Sequence, residues 1–282
     1  MNRNSIYALL LMALTSSGGA LAERVPLSGY AYQRQITAPQ GNEWESPEKV
    51  ALNKEQPHAW FFSFANEKEA LNVLPESSSY WKSLNGKWSF HWVGTPDKRT
   101  VDFYKTNFDV SKWDKVEVPM NWNIVGLQKN GTQKYGTPVY SNQRVIFQHS
   151  VAVGDWKGGV MREPRKDWPT YQHRNEVGSY RRTFTVPENW KEREVYLNFD
   201  GVDSFFYLYI NGRYVGFSKN SRNLASFNIT PYLVKGENVV AVEVYRNSDG
   251  SFLESQDMFR LPGIFRTVSL TAKPKVQVRD LV

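Results

Sequence analysis

The clearest pattern in the chain lies between Ser179 and Leu270, where short runs rich in Val, Tyr, Phe, Ile and Thr alternate with turn residues. The turns recur at intervals of roughly ten residues, a spacing that predicts an antiparallel sandwich rather than layers of helices. Val195, Leu197 and Phe199 are apolar at alternate positions while Asn198 faces the other way, so one side of that strand packs inward. Asn211-Gly212 separates FYLYI from RYVGF. A type I′ hairpin needs positive φ at both central residues, which Asn and Gly supply with least strain. Lys235-Gly236-Glu237-Asn238 predicts a second turn, followed by a half-buried strand in which Val240, Val242 and Val244 alternate with Ala241, Glu243 and Tyr245. Asp249-Gly250 ends that strand, and Ile264, Val268 and Leu270 share one face of the last one. The unit is all-β.

Upstream, Leu84-Asn85-Gly86 predicts a tight turn into KWSFHWV, with Trp88, Phe90 and Trp92 on one face and His91 on the other. Residues 23–79 are polar, poor in strand patterns and interrupted by Pro26, Pro39, Pro47, Pro57 and Pro75, so they read as an extended arm lying over the folded domain. Within the arm the apolar AWFFSF run needs cover, from the sandwich or from a neighbouring domain or subunit. His58, beside a proline and with no partner histidine nearby, reads as structural. From Gln143 to Gly178 no alternation is clear beyond RVIFQHSVAV, and a loop of that size is either a rim of the functional side or a surface excursion. After Lys273-Pro274, Val276 and Val278 start a fresh alternation with no partner strand of its own.

Composition narrows the class. Aromatic residues make up 15% of the chain, with ten Trp, which suits a thick core or surfaces that stack on sugar rings. The absence of cysteine rules out a disulfide, a thiolate nucleophile and a Cys-based zinc site. The net charge of +7 is spread among acidic residues without a basic run, so nucleic acid is not the expected partner. At the N-terminus Arg3, the apolar IYALLLMAL and Ala20-Leu21-Ala22 have the form of a secretory signal peptide over residues 1–22. Its apolar run is far shorter than the roughly twenty residues that span a bilayer. The expected location is therefore secreted or periplasmic, with no membrane partner.

Three segments carry a resemblance: DGVDSFFYLYINGRYVGFSKNSR, SDGSFLESQDMFRLPGIFR and SLNGKWSFHW. Together they resemble the N-terminal sugar-binding domain of the glycoside hydrolase family 2 β-galactosidases, with the likeness running from about Trp44 to the C-terminus. EWESPEKVALNKEQPHAWFFSF is similar to the family's lead-in, and Asn121-Trp122 after VEVP supply its NW pair, although Met120 stands where a serine is common. The resemblance implies a jelly-roll, galactose-binding-like β-sandwich over 80–272. It also implies that 273–282 are a linker and the first strand of an immunoglobulin-like domain. An (α/β)8 barrel beyond that domain would carry the two catalytic glutamates.

It further implies a part of an enzyme that hydrolyses terminal β-galactosides with retention, a reaction that needs two carboxyl groups about 5 to 5.5 Å apart. No such pair is marked out here: Asp203, Glu243, Glu254 and Asp257 read as structural or surface groups, so the segment has no expected catalytic residue. Two substrate-binding positions are implied. Asn142 matches an asparagine that approaches the galactosyl site, and Asn220 stands where the best-studied members carry an aspartate that helps hold a sodium ion. Either asparagine equally suits a plain turn. An intact enzyme of this family implies Mg2+ and Na+, with no cofactor or metal expected in the segment itself. Rival readings are a free-standing carbohydrate-binding module, a family 2 β-glucuronidase or β-mannosidase, and a remnant that forms a homo-oligomer through its apolar arm.

Overall fold

The computed structural model describes residues 32–141, 175–254 and 256–281. The signal-peptide segment 1–22, Asn142 and the RVIFQHSVAV run lie outside them.

Two antiparallel sheets form the sandwich. Numbered in chain order, the larger sheet runs β1 (Ala51–Leu52), β10 (Arg213–Ser218), β9 (Phe205–Ile210), β12 (Glu237–Tyr245), β6 (Val177–Thr185), β3 (Gly86–Val93), β4 (Asp114–Val118). The smaller runs β11 (Ala225–Asn228), β7 (Glu194–Phe199), β15 (Val268–Lys273), β2 (Trp81–Ser83). Two short pairs complete the set: β13 (Met258–Arg260) with β5 (Val139–Ser141), and β14 (Gly263–Ile264) with β8 (Val202–Asp203). Between β9 and β10 the expected hairpin forms, with φ of 51° at Asn211 and 77° at Gly212.

The space between the sheets is filled from both sides. Phe206, Leu208 and Ile210 of β9 and Val240, Val242 and Val244 of β12 meet Val195, Leu197 and Phe199 of β7 and Val268 and Leu270 of β15. Ile264 joins the same core but belongs to β14, not to the last strand. Trp88 and Phe90 pack there too, while His91 turns to the opposite face and stacks on Trp113 at 5.3 Å.

The opposite face of the larger sheet is also buried, which corrects the half-buried reading of β12. Ala241 and Tyr245 join Phe205, Tyr207, Tyr209, Tyr214 and Phe217 in a second, mostly aromatic cluster. Strands covered on both sides carry apolar residues at nearly every position. Glu243 lies on this face, buried, with its carboxylate accepting from the Tyr245 hydroxyl at 2.9 Å and facing Arg99 at 3.7 Å.

Two segments cover this second cluster. Residues 99–113 are held by the Arg181 guanidinium, which donates to the carbonyls of Phe103, Thr106 and Phe108 at 3.1, 2.7 and 2.9 Å. The arm contributes Trp44, stacked on Tyr245 with 5.3 Å between ring centres. Beside it the Glu43 carboxylate accepts the backbone N–H groups of Gln40, Gly41 and Asn42 at 2.7, 2.8 and 3.1 Å and the Tyr207 hydroxyl at 2.6 Å. The arm then joins the sheet edge as β1, and Gly216 of β10 sits so close to it that a Cβ there would lie 2.1 Å from the Leu52 carbonyl oxygen.

Further along, the arm is less covered. Trp60 stays 49% exposed, so the AWFFSF run is only partly buried among the described residues. Residues 276–281 form no strand; Asp280 Oδ1 accepts the Ala59 N–H at 2.8 Å, and Val276, Val278 and Leu281 face solvent. Among the described residues the alternation there pairs with no neighbouring edge, and an isolated strand cannot satisfy its own backbone.

Candidate functional site

Strand register decides where the polar residues of distant segments meet. Val177 pairs with Tyr245, Tyr245 with Phe205, and Phe206 with Ser218. The residues just outside those positions, near 176, 203, 219–222 and 246–254, therefore converge at one end of the larger sheet.

The deepest element is an ion pair. Arg246 Nη1 donates to Glu176 Oε1 at 2.5 Å, and both side chains are shielded from solvent. The other oxygen, Glu176 Oε2, accepts the indole N–H groups of Trp122 at 3.1 Å and Trp92 at 3.4 Å. Arg246 Nη2 reaches the Thr137 carbonyl at 2.8 Å. Gly136, at φ 68°, passes so near that a Cβ would lie 2.3 Å from Glu176 Oε1. A buried pair of this kind is held by several well-placed donors, because its desolvation is costly.

Above it lies a cavity of about 20 Å³ lined by Asp203, Arg222, Arg246, Ser251, Glu254 and Arg260. That volume suits a water molecule and is far below that of a sugar ring. Asp203 Oδ2 faces the Arg222 guanidinium at 3.5 Å. Burial pushes the Asp203 carboxyl up to about 7, against the pull of Arg222 and with the neighbouring Glu254 adding to the rise. Glu254 accepts the Ser221 N–H at 2.7 Å on one oxygen and the Ser221 hydroxyl at 2.6 Å on the other. Arg260 in turn donates to the Glu254 carbonyl.

Asn220 sits at the lip of this cluster. It is exposed and holds a left-handed φ of 78°, while Lys219 and Ser221 on either side are buried. Lys219 Nζ pairs with Asp249 Oδ1 and donates to the Ser46 carbonyl, each at 2.7 Å. Asn142 follows Ser141, whose backbone pairs with Met258, but is itself outside the described residues. The two implied sugar contacts are thus not placed together here. Asp203 and Glu254, expected as structural or surface groups, prove to be members of the cluster at this end, whereas Asp257 accepts the Tyr140 hydroxyl at 2.5 Å and Glu243 lies in the second core. The available signal in the sequence was Arg246, a charge directly after the long apolar run of β12.

Asn220 offers a neutral amide oxygen, and the nearby carboxylates of Glu254 and Asp203 are turned to Ser221 and Arg222. Among the described residues no group of three or more His, Asp or Glu side chains is arranged to hold a metal ion.

Comparison with known proteins assigns the class. Residues 81–274 match the sugar binding domain of glycosyl hydrolases family 2, and the chain belongs to that family. It is 41% identical over 239 residues to a β-galactosidase of Priestia megaterium, covering 84% of this chain and 21% of that protein. A β-galactosidase of Psychromonas ingrahamii is 35% identical over 239 residues, covering 85% of this chain and 20% of its own length. The chain therefore spans about a fifth of the length of these curated relatives. Among solved structures, a Bacteroides uniformis β-glucuronidase is 26% identical at a TM-score of 0.46, over 69% of this chain and 18% of its own.

Proposed function

We propose that this chain forms one wall of the substrate pocket of an exported, retaining β-galactosidase whose reactive carboxylates lie on another domain. The single observation that carries the reading is Asn220, an exposed left-handed residue gripped on both sides by buried, bonded neighbours. Such a conformation in a non-glycine residue persists when its surroundings over-determine it, and it sets the direction in which the amide side chain leaves the backbone. A sugar hydroxyl both donates and accepts, and an amide complements it with one group of each kind. Asn142, by the same resemblance, supplies the second contact. The 41% identity to a β-galactosidase favours a galactoside as the sugar.

The carboxylates at this end are poor candidates for bond cleavage. Both oxygens of Glu254 are taken by Ser221, and Asp203 opens onto a cavity too small for a pyranose ring. The chain's own part is to bind and orient the sugar; it transfers no proton to it. Export, with cleavage after Ala22, completes the proposal.

The test is the complete coding frame, expressed and assayed. The expected product begins at Glu23, continues past Val282 into a barrel, and cleaves an aryl β-galactoside with retention at the anomeric carbon. Cleavage of a β-glucuronide or β-mannoside instead would overturn the galactoside assignment. A frame that stops at Val282, with calorimetric binding of galactose by the 282-residue chain, would make it a free-standing binding module.

A further inference from the structure

Asn220 does not hold its conformation alone. Its left-handed φ of 78° is tolerated by asparagine but disfavoured against the right-handed region. On its N-terminal side Lys219 is tied through its side chain to Asp249 and Ser46 and through its N–H to the Val50 carbonyl at 3.1 Å. On its C-terminal side Glu254 grips Ser221, taking the N–H and the hydroxyl of that one residue at 2.7 and 2.6 Å. Two charge-assisted bonds to one residue set both its position and its orientation.

Glu254 stands at the C-terminal end of the single helical turn Gly250–Leu253, where Arg260 holds its carbonyl. Arg260 anchors it from outside the 219–222 turn that it grips, while Asp249 at the other end of the helical turn pairs with Lys219. We infer that Glu254 is a positioning residue: its carboxylate locks Ser221 and thereby keeps Asn220 in the left-handed conformation that presents the amide to the sugar, without touching the sugar itself. This rests on the reading of Asn220 given above. Release of the clamp lets residue 220 relax toward the right-handed region, which carries the amide away from its place while leaving the sandwich intact.

The experiment uses the complete gene product and an aryl β-galactoside, with N220A, E254Q, S221A and the double variant N220A/E254Q. A lost ground-state contact raises KM and spares kcat, so N220A and E254Q are each expected to raise KM about ten-fold with kcat changed less than about three-fold. S221A, which keeps the N–H bond and loses only the hydroxyl, should raise KM about three-fold. The double variant should be no worse than N220A alone, because the clamp acts only through Asn220. Amide hydrogen exchange at Ser221 in the 282-residue chain should speed at least ten-fold in E254Q, with the core strands unchanged.

If N220A raises KM while E254Q and S221A do not, the positioning role is wrong and the reading of Asn220 survives. Additive losses in the double variant also overturn it. If N220A itself has no effect, or the parent protein does not act on galactosides, the underlying reading has failed. Should E254Q not fold, S221A decides alone.

Discussion

Asp203 shows how burial rather than charge pairing governs a single residue. Its carboxyl is pushed up to about 7, so between roughly pH 4 and 7 the folded chain holds a proton that the unfolded chain has released. Stability contributed by this group is therefore fully present at low pH and is lost as pH rises toward 7. The slope for one such proton is about 1.4 kcal/mol per pH unit. Asp203→Asn removes it: in urea unfolding the variant should match its parent below about pH 4 and exceed it by roughly 3–4 kcal/mol at pH 8. A constant difference at both pH values would show that Asp203 does not titrate in this window. Glu176 presents the opposite situation. It already satisfies Arg246 and two indoles in a solvent-free site, so Glu176→Gln leaves a buried cation uncompensated. The expected loss is about 3–5 kcal/mol of unfolding free energy, and a loss below 1 kcal/mol would mean that the network rearranges without cost.

At the scale of elements, the arm works as a lid on the second aromatic cluster. Trp44 is the anchor, 3% exposed and stacked on Tyr245. Trp44→Ala should cost about 3–5 kcal/mol and open residues 32–50 to limited proteolysis, while exchange protection in β6, β9 and β12 persists. Unchanged protease resistance of the arm would show that Glu43 and the β1 pairing hold it unaided. Legibility differed by element for a physical reason. The Asn211-Gly212 hairpin could be read because its chemistry is local to two residues. In β9 the run FFYLYI is apolar at every position, so periodicity could not reveal that Phe206, Leu208 and Ile210 face one core and Phe205, Tyr207 and Tyr209 another. β1 is two residues long and has no pattern to read; it forms because an edge of β10 is available.

For the molecule as a whole, the apolar residues past the last strand add nothing to the fold that is described. Val276, Val278 and Leu281 are 85, 60 and 66% exposed, so replacing all three by serine should leave unfolding free energy within about 0.5 kcal/mol of the parent. A larger loss in denaturant titration would show that these side chains pack on the sandwich in solution. The sequence by itself determined the all-β class, the turn positions and the inward face of β7 and β12, because each follows from neighbours a few residues apart. The family resemblance was also legible, carried by contiguous segments such as SDGSFLESQDMFRLPGIFR. Only the tertiary structure decided that the larger sheet is covered on both faces and that Glu176 meets Arg246 seventy residues away. It alone brought Glu254 onto Ser221, for such meetings depend on strand register and on which ends of β6, β9, β10 and β12 coincide. No local pattern of side chains encodes that coincidence.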